Sequence, residues 1–200
     1  LPPMVPHHGV AEDACLTLSV GMRAPSAAEL MGDYIDTLAA EADDAVRYHD
    51  ETLTQPKDPN EIDAATMVRV VEALNAIRMR DPDQLGDWFG RFMTGYRNAH
   101  QVVAGQAPPP SDEVDALLAG GRAVLLRNPF SRAAWRRAAR GARLFVSGSE
   151  FALPVRDAQR LAAATRLDAA GHAALSPAGR AAVYALLEQG HYTLARPEDV

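Results

Sequence analysis

The sequence predicts a mostly α-helical protein with small β elements, and three observations lead to this fold class. Apolar residues recur at helical spacing between residue 25 and a proline-rich segment at 107–111. After that segment, short apolar runs bounded by turn residues alternate with helical patterns. Before residue 25, a proline-rich turn is followed by one alternating run. We therefore predict three domains, at residues 1–24, 25–108 and 109–200.

The net charge changes sign at the proline-rich segment. Residues 1–108 contain 8 basic and 17 acidic residues, a net charge of −9, whereas residues 109–200 contain 12 and 9, a net charge of +3. Consecutive prolines cannot extend a helix from either side. The border between the second and third domains is therefore placed there.

Composition excludes several classes of protein. A hydrophobic content of 48% is sufficient for a packed core. No apolar run reaches the length of a transmembrane helix, and the first ten residues lack the basic start and apolar stretch of a signal peptide. The single cysteine, Cys15, excludes an internal disulfide and is typical of a reducing compartment. We expect Cys15 to be buried in a strand and the protein to be cytoplasmic, with no membrane partner.

The first ten residues form the most informative segment. Their prolines fix φ and remove backbone donors, so we predict a rigid extended turn that aims His7 in one direction. Residues 14–20 then alternate apolar and polar side chains, as a half-buried strand does. Thr17 and Ser19 lie on the polar side, facing the same cavity as His7. From spacing alone, the alternative that His7 and His8 are ordinary loop imidazoles before a surface strand stays open.

Three helices are predicted between residues 26 and 96. The first begins at Ser26, which can form a capping box with Glu29. The second begins near Asn60 with Asp63 in its first turn, and the third begins at Asp81-Pro82, a favoured cap and first-turn pair.

The third of these helices has more large apolar side chains than two partner helices need to cover. They are Leu85, Trp88, Phe89, Phe92, Met93 and Tyr96. Aromatic residues at the centre of a patch are typical of a homodimer interface. The alternative is a three-helix core packed against the first domain, and spacing alone does not separate the two.

The last domain is predicted to combine short helices with a small antiparallel sheet, a mixture that resembles a winged helix. Helices are predicted over 112–118, 156–164 and 176–187, and strands over 123–126, 134–137, 144–146 and 191–194.

Seven arginines lie between Asp115 and Glu150, with no acidic residue among them. They are Arg122, Arg127, Arg132, Arg136, Arg137, Arg140 and Arg143. Clustered arginine attracts phosphate, which indicates a nucleic-acid or ribosome-facing surface. However, Lys57 is the only lysine, which indicates a general preference for arginine, and aromatic residues that stack on bases are sparse. We therefore do not expect nucleic acid among the partners.

Three segments of the chain are similar to a known family. They are Pro2-Pro-Met-Val-Pro-His-His-Gly9, Leu18-Ser-Val-Gly-Met-Arg-Ala-Pro25 and Asp87-Trp-Phe-Gly90. In order and spacing they resemble the bacterial cupin-type JmjC ribosomal oxygenases, which are iron(II)- and 2-oxoglutarate-dependent protein hydroxylases. The resemblance implies the end of a double-stranded β-helix (JmjC/cupin) barrel at 1–24, a helical dimerisation domain at 25–108 and a C-terminal winged-helix-like domain at 109–200.

The resemblance also implies roles for three residues. His7 corresponds to the distal histidine of an iron-binding facial triad, Ser19 to a serine that binds the 2-oxoglutarate carboxylate, and Thr17 is a weaker candidate for the same pocket. Met4 stands where the family usually has glycine, so the turn departs from the family pattern. The other two ligands come from a His-x-Asp pair, which we expect before residue 1. The similar spacing in His49-Asp-Glu51 lies in an acidic stretch between helices and is expected to be surface.

The function implied by the resemblance is hydroxylation of a ribosomal protein by a homodimer that uses Fe(II) and 2-oxoglutarate. The bacterial branch implies an arginine β-carbon in a large-subunit protein as the target. We expect the 200 residues alone to be inactive, because most of the barrel is missing. The alternative from another class is a non-catalytic dimeric regulator with a winged-helix DNA reader, in which His7 is incidental.

Overall fold

A computed structural model describes residues 5–6, 8–16, 24–43, 45, 58, 60–95 and 102–199. The helices in these ranges are α1 (Ala27–Glu41), α2 (Ala64–Ala76), α3 (Pro82–Gly95), α4 (Ser111–Ala119), α5 (Val155–Ala163), α6 (Ala169–Ala173) and α7 (Pro177–Glu188). The strands are β1 (Val124–Arg127), β2 (Ala133–Arg137), β3 (Ala142–Val146), β4 (Ser149–Leu153), β5 (Arg166–Leu167) and β6 (Tyr192–Ala195), and a 3-10 turn follows at Pro197–Asp199. None of the described helices has the length and apolar character needed to cross a membrane.

The starts of α1 and α2 follow from their caps. The Ser26 hydroxyl accepts from the backbone N–H of Glu29 at 3.2 Å, and the Glu29 carboxylate accepts from the N–H of Ser26 at 2.8 Å, which confirms the capping box. Asp63 accepts from the N–H of Thr66 at 2.7 Å. Asp63 is therefore the N-cap, and α2 begins at Ala64 instead of near Asn60.

A small apolar core joins α1 to α3. It contains Leu38, Met79 and Trp88, with Tyr34 packed against it. The indole Nε1 of Trp88 donates to Asp33 Oδ1 at 2.8 Å, and the Tyr34 hydroxyl accepts from the backbone N–H of Met79 at 2.9 Å. The Tyr34 and Trp88 rings meet edge to face with centroids 5.1 Å apart. These contacts fix α3 against α1.

The helix α2 contributes no buried residue to this core. Its apolar side chains Met67, Val68, Val71 and Leu74 are exposed. The described residues therefore do not form a closed three-helix core, and an apolar helix face remains open to solvent.

The last domain contains two three-stranded antiparallel sheets, ordered β5-β1-β6 and β2-β3-β4. This differs from the single sheet that the sequence predicted. The difference arises because the partners of β1 are distant in sequence: Leu125 pairs with Leu167 on one side and with Leu194 on the other. The main core fills the space between the sheets and the helices α4, α5 and α7, and includes Leu118, Leu144 and Leu186.

A tight turn at Ser147-Gly148 creates β4, which the sequence analysis missed. The φ angles of these residues are 47° and 92°, as the two-residue turn of a hairpin requires. The N–H of Gly148 donates to the Thr94 hydroxyl at 3.0 Å, so the turn is also attached to the end of α3.

The face of α3 that meets this second sheet has glycine at two of its contact positions. A Cβ atom at Gly90 would overlap the ring of Phe145, which is buried on β3. At Gly86, a Cβ atom would lie 2.6 Å from Nε of Arg136. The two glycines are one helical turn apart on one side of α3, so their absent side chains allow helix and sheet to approach closely.

The described part of the first domain differs from its prediction. Residues 14–16, the start of the predicted strand, are not in a strand, and Leu16 is 85% exposed. Cys15 is exposed, which corrects the expectation that it is buried, because no described residue covers this segment. The remainder of the predicted strand, 17–20, lies outside the described residues.

Two histidines are buried in the last domain. His172 Nε2 lies 3.4 Å from Asp115 Oδ1, and His191 Nδ1 shares a hydrogen bond of 2.9 Å with the Ser131 hydroxyl. Burial lowers the pKa of both imidazoles. For His172, the Asp115 carboxylate opposes this lowering and Arg180 adds to it. The folded protein therefore favours the neutral form of both rings.

Replacing Gly90 with alanine should destabilise the protein by about 1–3 kcal/mol, because the new methyl group overlaps the Phe145 ring. Urea unfolding followed by circular dichroism measures this change. Gly32→Ala is the matched control, since Gly32 lies within α1 with nothing within 4 Å of a Cβ atom. That control should stabilise the protein by about 0.5–1 kcal/mol, and equal effects of the two variants would contradict the close packing.

Lowering the pH from about 7 to about 5 should reduce the free energy of unfolding. The folded-state pKa values of His172 and His191 lie below the unfolded value of about 6.5. Their contribution is therefore complete above the unfolded pKa and is lost as the pH falls below it. Urea midpoints across this range test the idea, and H172Q/H191Q should show a shallower pH dependence. The same slope in the variant and the parent protein would count against it.

Candidate functional site

The three residues predicted to bind metal and 2-oxoglutarate, His7, Thr17 and Ser19, lie outside the residues that the structure describes. Next to His7, the described residues Pro6 and His8 are exposed. No three histidine, cysteine, aspartate or glutamate side chains come together as a possible metal site in the described ranges. The described donors therefore do not form a metal centre among themselves.

An apolar groove of about 380 Å³ lies between α1 and α3. Its walls are formed by Ala27, Leu30, Met31, Tyr34, Leu85, Trp88 and Phe89. Phe89 is 46% exposed, although its neighbour Trp88 is buried. The aromatic face predicted for the third helix is thus divided, with Trp88 filling the small core and Phe89 facing outward.

The opposite face of α3 is bound to the second sheet by ion pairs. Arg136 pairs with Asp83 and, at 2.6 Å, with Asp87. Arg143 Nε lies 3.4 Å from the Asp87 carboxylate and 3.1 Å from that of Glu150. The hydrogen bond from Arg136 lowers the pKa of Asp83, and the same contact raises the pKa of Arg136. A chain of alternating charges therefore runs along this interface.

Six of the seven arginines between Asp115 and Glu150 take different roles. Arg136 and Arg143 form ion pairs with the acidic residues of α3, and Arg143 also pairs with Glu150. Arg127 donates to the carbonyl of Ala162 at 2.9 Å. By contrast, Arg122, Arg137 and Arg140 are exposed, and the guanidinium of Arg137 lies 5.9 Å from the centre of the Trp135 ring.

The helices α6 and α7 are joined by a short connection at residues 174–176. One side of α7 and one side of α4 border a cleft of about 340 Å³. The Tyr184 hydroxyl on α7 donates to the carbonyl of Pro109 at 3.3 Å. Arg180, in the same cleft, donates to the carbonyl of Leu175 at 3.0 Å. One side of α7 is therefore partly covered by α4 and by the segment that precedes it.

Sequence reasoning missed the residues that join α3 to the second sheet. Asp83 and Asp87 are four residues apart, and so are Gly86 and Gly90. Residues at this spacing share one helix face. A stripe of acids and glycines on one side of a helix, with aromatic residues on the other side, indicates that the helix packs against two different elements. The sequence does not reveal which element each side contacts.

Two family models match the chain. A model described as ROXA-like winged helix matches residues 76–193, so the match includes α3, and one described as JmjC domain matches residues 1–30. Among curated proteins, the ribosomal protein uL16 3-hydroxylase of Escherichia coli (strain K12) is 27% identical over 121 residues, which are 60% of this chain and 32% of that protein.

Solved structures show the same fold. The E. coli ribosomal oxygenase YcfD has a TM-score of 0.68 at 23% identity, covering 86% of this chain and 47% of that chain. A structure of YcfD in complex with cobalt and 2-oxoglutarate has a TM-score of 0.68 at 21% identity, with the same coverage of 86% and 47%. The chain spans about half the length of these solved relatives.

The matched region covers α3 and nearly all of the two-sheet domain on which α3 packs, and the JmjC match falls on the proline-rich segment from which the resemblance was read. The resemblance predicted from the sequence is thereby confirmed, and the chain belongs to the ROXA-like winged helix family.

Proposed function

We propose that this chain is part of an Fe(II)- and 2-oxoglutarate-dependent hydroxylase that acts on a ribosomal protein. The observation that carries the proposal is the pair of matches in one chain, a JmjC segment at 1–30 and the ROXA-like winged helix at 76–193. The names of the similar proteins support it, since they describe a ribosomal protein hydroxylase and a ribosomal oxygenase.

His7 is the proposed metal ligand, and the hydroxyls of Ser19 and Thr17 are the proposed partners of the 2-oxoglutarate carboxylate. A facial triad needs a second histidine and a carboxylate. The described residues supply no such cluster among themselves, and the proposed source of these two ligands is the His-x-Asp pair that the family resemblance implies. The iron would supply the oxidation chemistry, whereas the proline turn before His7 restricts the direction of its side chain.

The proposed substrate is an arginine of a large-subunit ribosomal protein, hydroxylated at its β-carbon. Residues 1–108 have a net charge of −9, and an acidic surface attracts a basic protein segment at long range. A ribosomal-protein substrate would place the enzyme in the cytoplasm.

The alternative function, a DNA-binding regulator, is less well supported by the arrangement of α7. The exposed side chains of α7 are Pro177, Ala178, Ala181 and Glu188, and none of them is an arginine, lysine, asparagine or glutamine, the residues that bind purine base edges with two hydrogen bonds. The adjacent α4 also restricts the access of a DNA duplex to α7.

We further propose that the helical region forms a homodimer. The groove between α1 and α3 is apolar, and α2 exposes Met67, Val71 and Leu74 in the same part of the chain. Apolar patches of this kind on soluble proteins mark interaction sites. A stable homodimer commonly buries at least about 1,200 Å², so the proposed interface combines the groove with the exposed apolar side chains of α2.

In a polypeptide that carries this chain behind a complete JmjC barrel, His7→Ala should reduce ribosomal-protein hydroxylation by more than about 100-fold. Loss of an outer-shell partner alone costs 10–100-fold, and a direct ligand contributes more. Mass spectrometry would detect the addition of one oxygen atom to the target arginine. His8→Ala is the matched control and should leave hydroxylation unchanged. Undiminished activity and Co²⁺ binding in His7→Ala, or decarboxylation of 2-oxoglutarate by the 200 residues alone, would disprove the assignment.

Phe89→Asp should convert the proposed dimer to monomers, because it places a charge at the centre of the apolar groove. Sedimentation equilibrium gives the mass of each species. Phe130→Asp is the control: Phe130 is 51% exposed but lies in the connection between β1 and β2, so it belongs to none of the helices α1, α2 and α3. A parent chain that is monomeric at high concentration, or a Phe89→Asp variant that stays dimeric, would contradict the interface.

A further inference from the structure

We propose that the outer side of α5, together with the residues at its two ends, binds the phosphate backbone of RNA. The surface, here called the α5 face, is defined by Arg137, Arg140, Arg156, Arg160 and Arg166. The choice of RNA over other polyanions rests on the proposed function, because a ribosomal-protein substrate is found in the company of RNA. This inference reverses the expectation from sequence that nucleic acid is not a partner.

The fold brings these arginines together from two parts of the chain. The turn between β2 and β3 lies against the start of α5: a Cβ atom at Gly141 would be 2.7 Å from the carbonyl oxygen of Leu153, the residue that pairs with Ala142. Arg137 and Arg140 are thus adjacent to the first turn of α5, where Arg156 lies. Helix α5 itself packs on β2 and β3.

Along α5 the positive charges follow the helix period. Arg156 and Arg160 are four residues apart and share one face, about 6 Å apart along the helix axis. Arg160 is half-buried and donates one hydrogen bond to the carbonyl of Gly171, whereas Arg156 is exposed. Arg166 is exposed just beyond the end of the helix.

Few acidic side chains of the described residues lie near the α5 face, and the one next to Arg166 in sequence, Asp168, accepts from the N–H of Gly171 at 2.8 Å as the N-cap of α6. Between Asp115 and Asp168 the chain has two acids, Glu150 and Asp157. Glu150 is bound on the α3 side of the sheet by Arg91 at 2.6 Å and by Arg143 at 3.1 Å.

The second of these acids is enclosed in the core. Asp157 is only 3% exposed, and its carboxylate accepts from both the N–H and the hydroxyl of Ser176. The described structure records no ion pair for the five arginines that define the α5 face. A positive field therefore persists there, although the whole chain has a net charge of −6.

The chemistry of the α5 face fits a phosphate backbone better than base edges. Guanidinium groups bind phosphate oxygens in a two-pronged manner. No helix projects from this surface to enter a groove, and the guanidinium of Arg137 lies over the ring of Trp135 at 5.9 Å from its centre. Binding is expected to be independent of sequence and strongly dependent on salt.

The test is fluorescence anisotropy of the 200-residue chain with a labelled hairpin RNA and a DNA duplex of equal length. R140S/R156S removes two exposed charges from the α5 face. R78S/R80S removes two exposed charges near α3 and is the matched control. We expect R140S/R156S to weaken RNA binding about tenfold at low salt and to lower the salt slope by about 1.5, while R78S/R80S changes neither.

Equal losses in both double variants, no loss in R140S/R156S, or tighter binding to the DNA duplex than to RNA would each overturn the proposal. The outcome is separable from the proposed hydroxylase activity, because RNA binding is measured without iron or 2-oxoglutarate. In the complete enzyme, R140S/R156S should still hydroxylate a free peptide substrate at the parent rate. Absence of hydroxylation in the parent enzyme would reject the proposed function while leaving the RNA measurement standing.

Discussion

The contact between α3 and the sheet of β2, β3 and β4 is the constraint on which the arrangement of the two described parts depends. One side of α3 contributes Gly86 and Gly90, which admit Arg136 and Phe145 at distances that no side chain would allow. The other side contributes Trp88 to the core with α1. Because both sides of a single helix are occupied, any displacement of α3 disturbs two packed regions.

Charge pairing and glycine packing act differently at this contact. The ion pairs of Asp83 and Asp87 with Arg136 are partly exposed, and such pairs contribute little stability individually. They specify which residues face one another, whereas burial of Phe145 supplies the larger hydrophobic stabilisation. The hydrogen bond from Gly148 to Thr94 then fixes the end of the helix to the hairpin turn.

The sequence predicted helices well where a cap was present and strands poorly where partners were distant. Ser26 and Asp63 act on neighbouring amides, so their helices are readable locally. The pairing of β1 with β5 and β6 joins residues about 40 to 70 positions apart, and no local pattern contains that information. The proposed metal and 2-oxoglutarate residues came from the family resemblance, because the sequence around His7 alone also fits an ordinary histidine in a loop. The domain border at 108 stays a prediction. Helix α3, which precedes this border, packs on the strands β2, β3 and β4, which follow it.

The arginines of the last domain show why composition alone could not assign a partner. In sequence they form one uniform cluster, yet adjacent residues Arg136 and Arg137 lie on opposite faces of β2. Arg136 meets the acids of α3, and Arg137 joins the unneutralised α5 face. The strand period therefore separates a structural ion network from a free positive surface. A cluster of arginines leaves a positive surface only where the fold places the neighbouring acidic side chains elsewhere. Here Glu150 pairs with Arg91 on the α3 side of the sheet, and the Asp157 carboxylate is buried and accepts from Ser176.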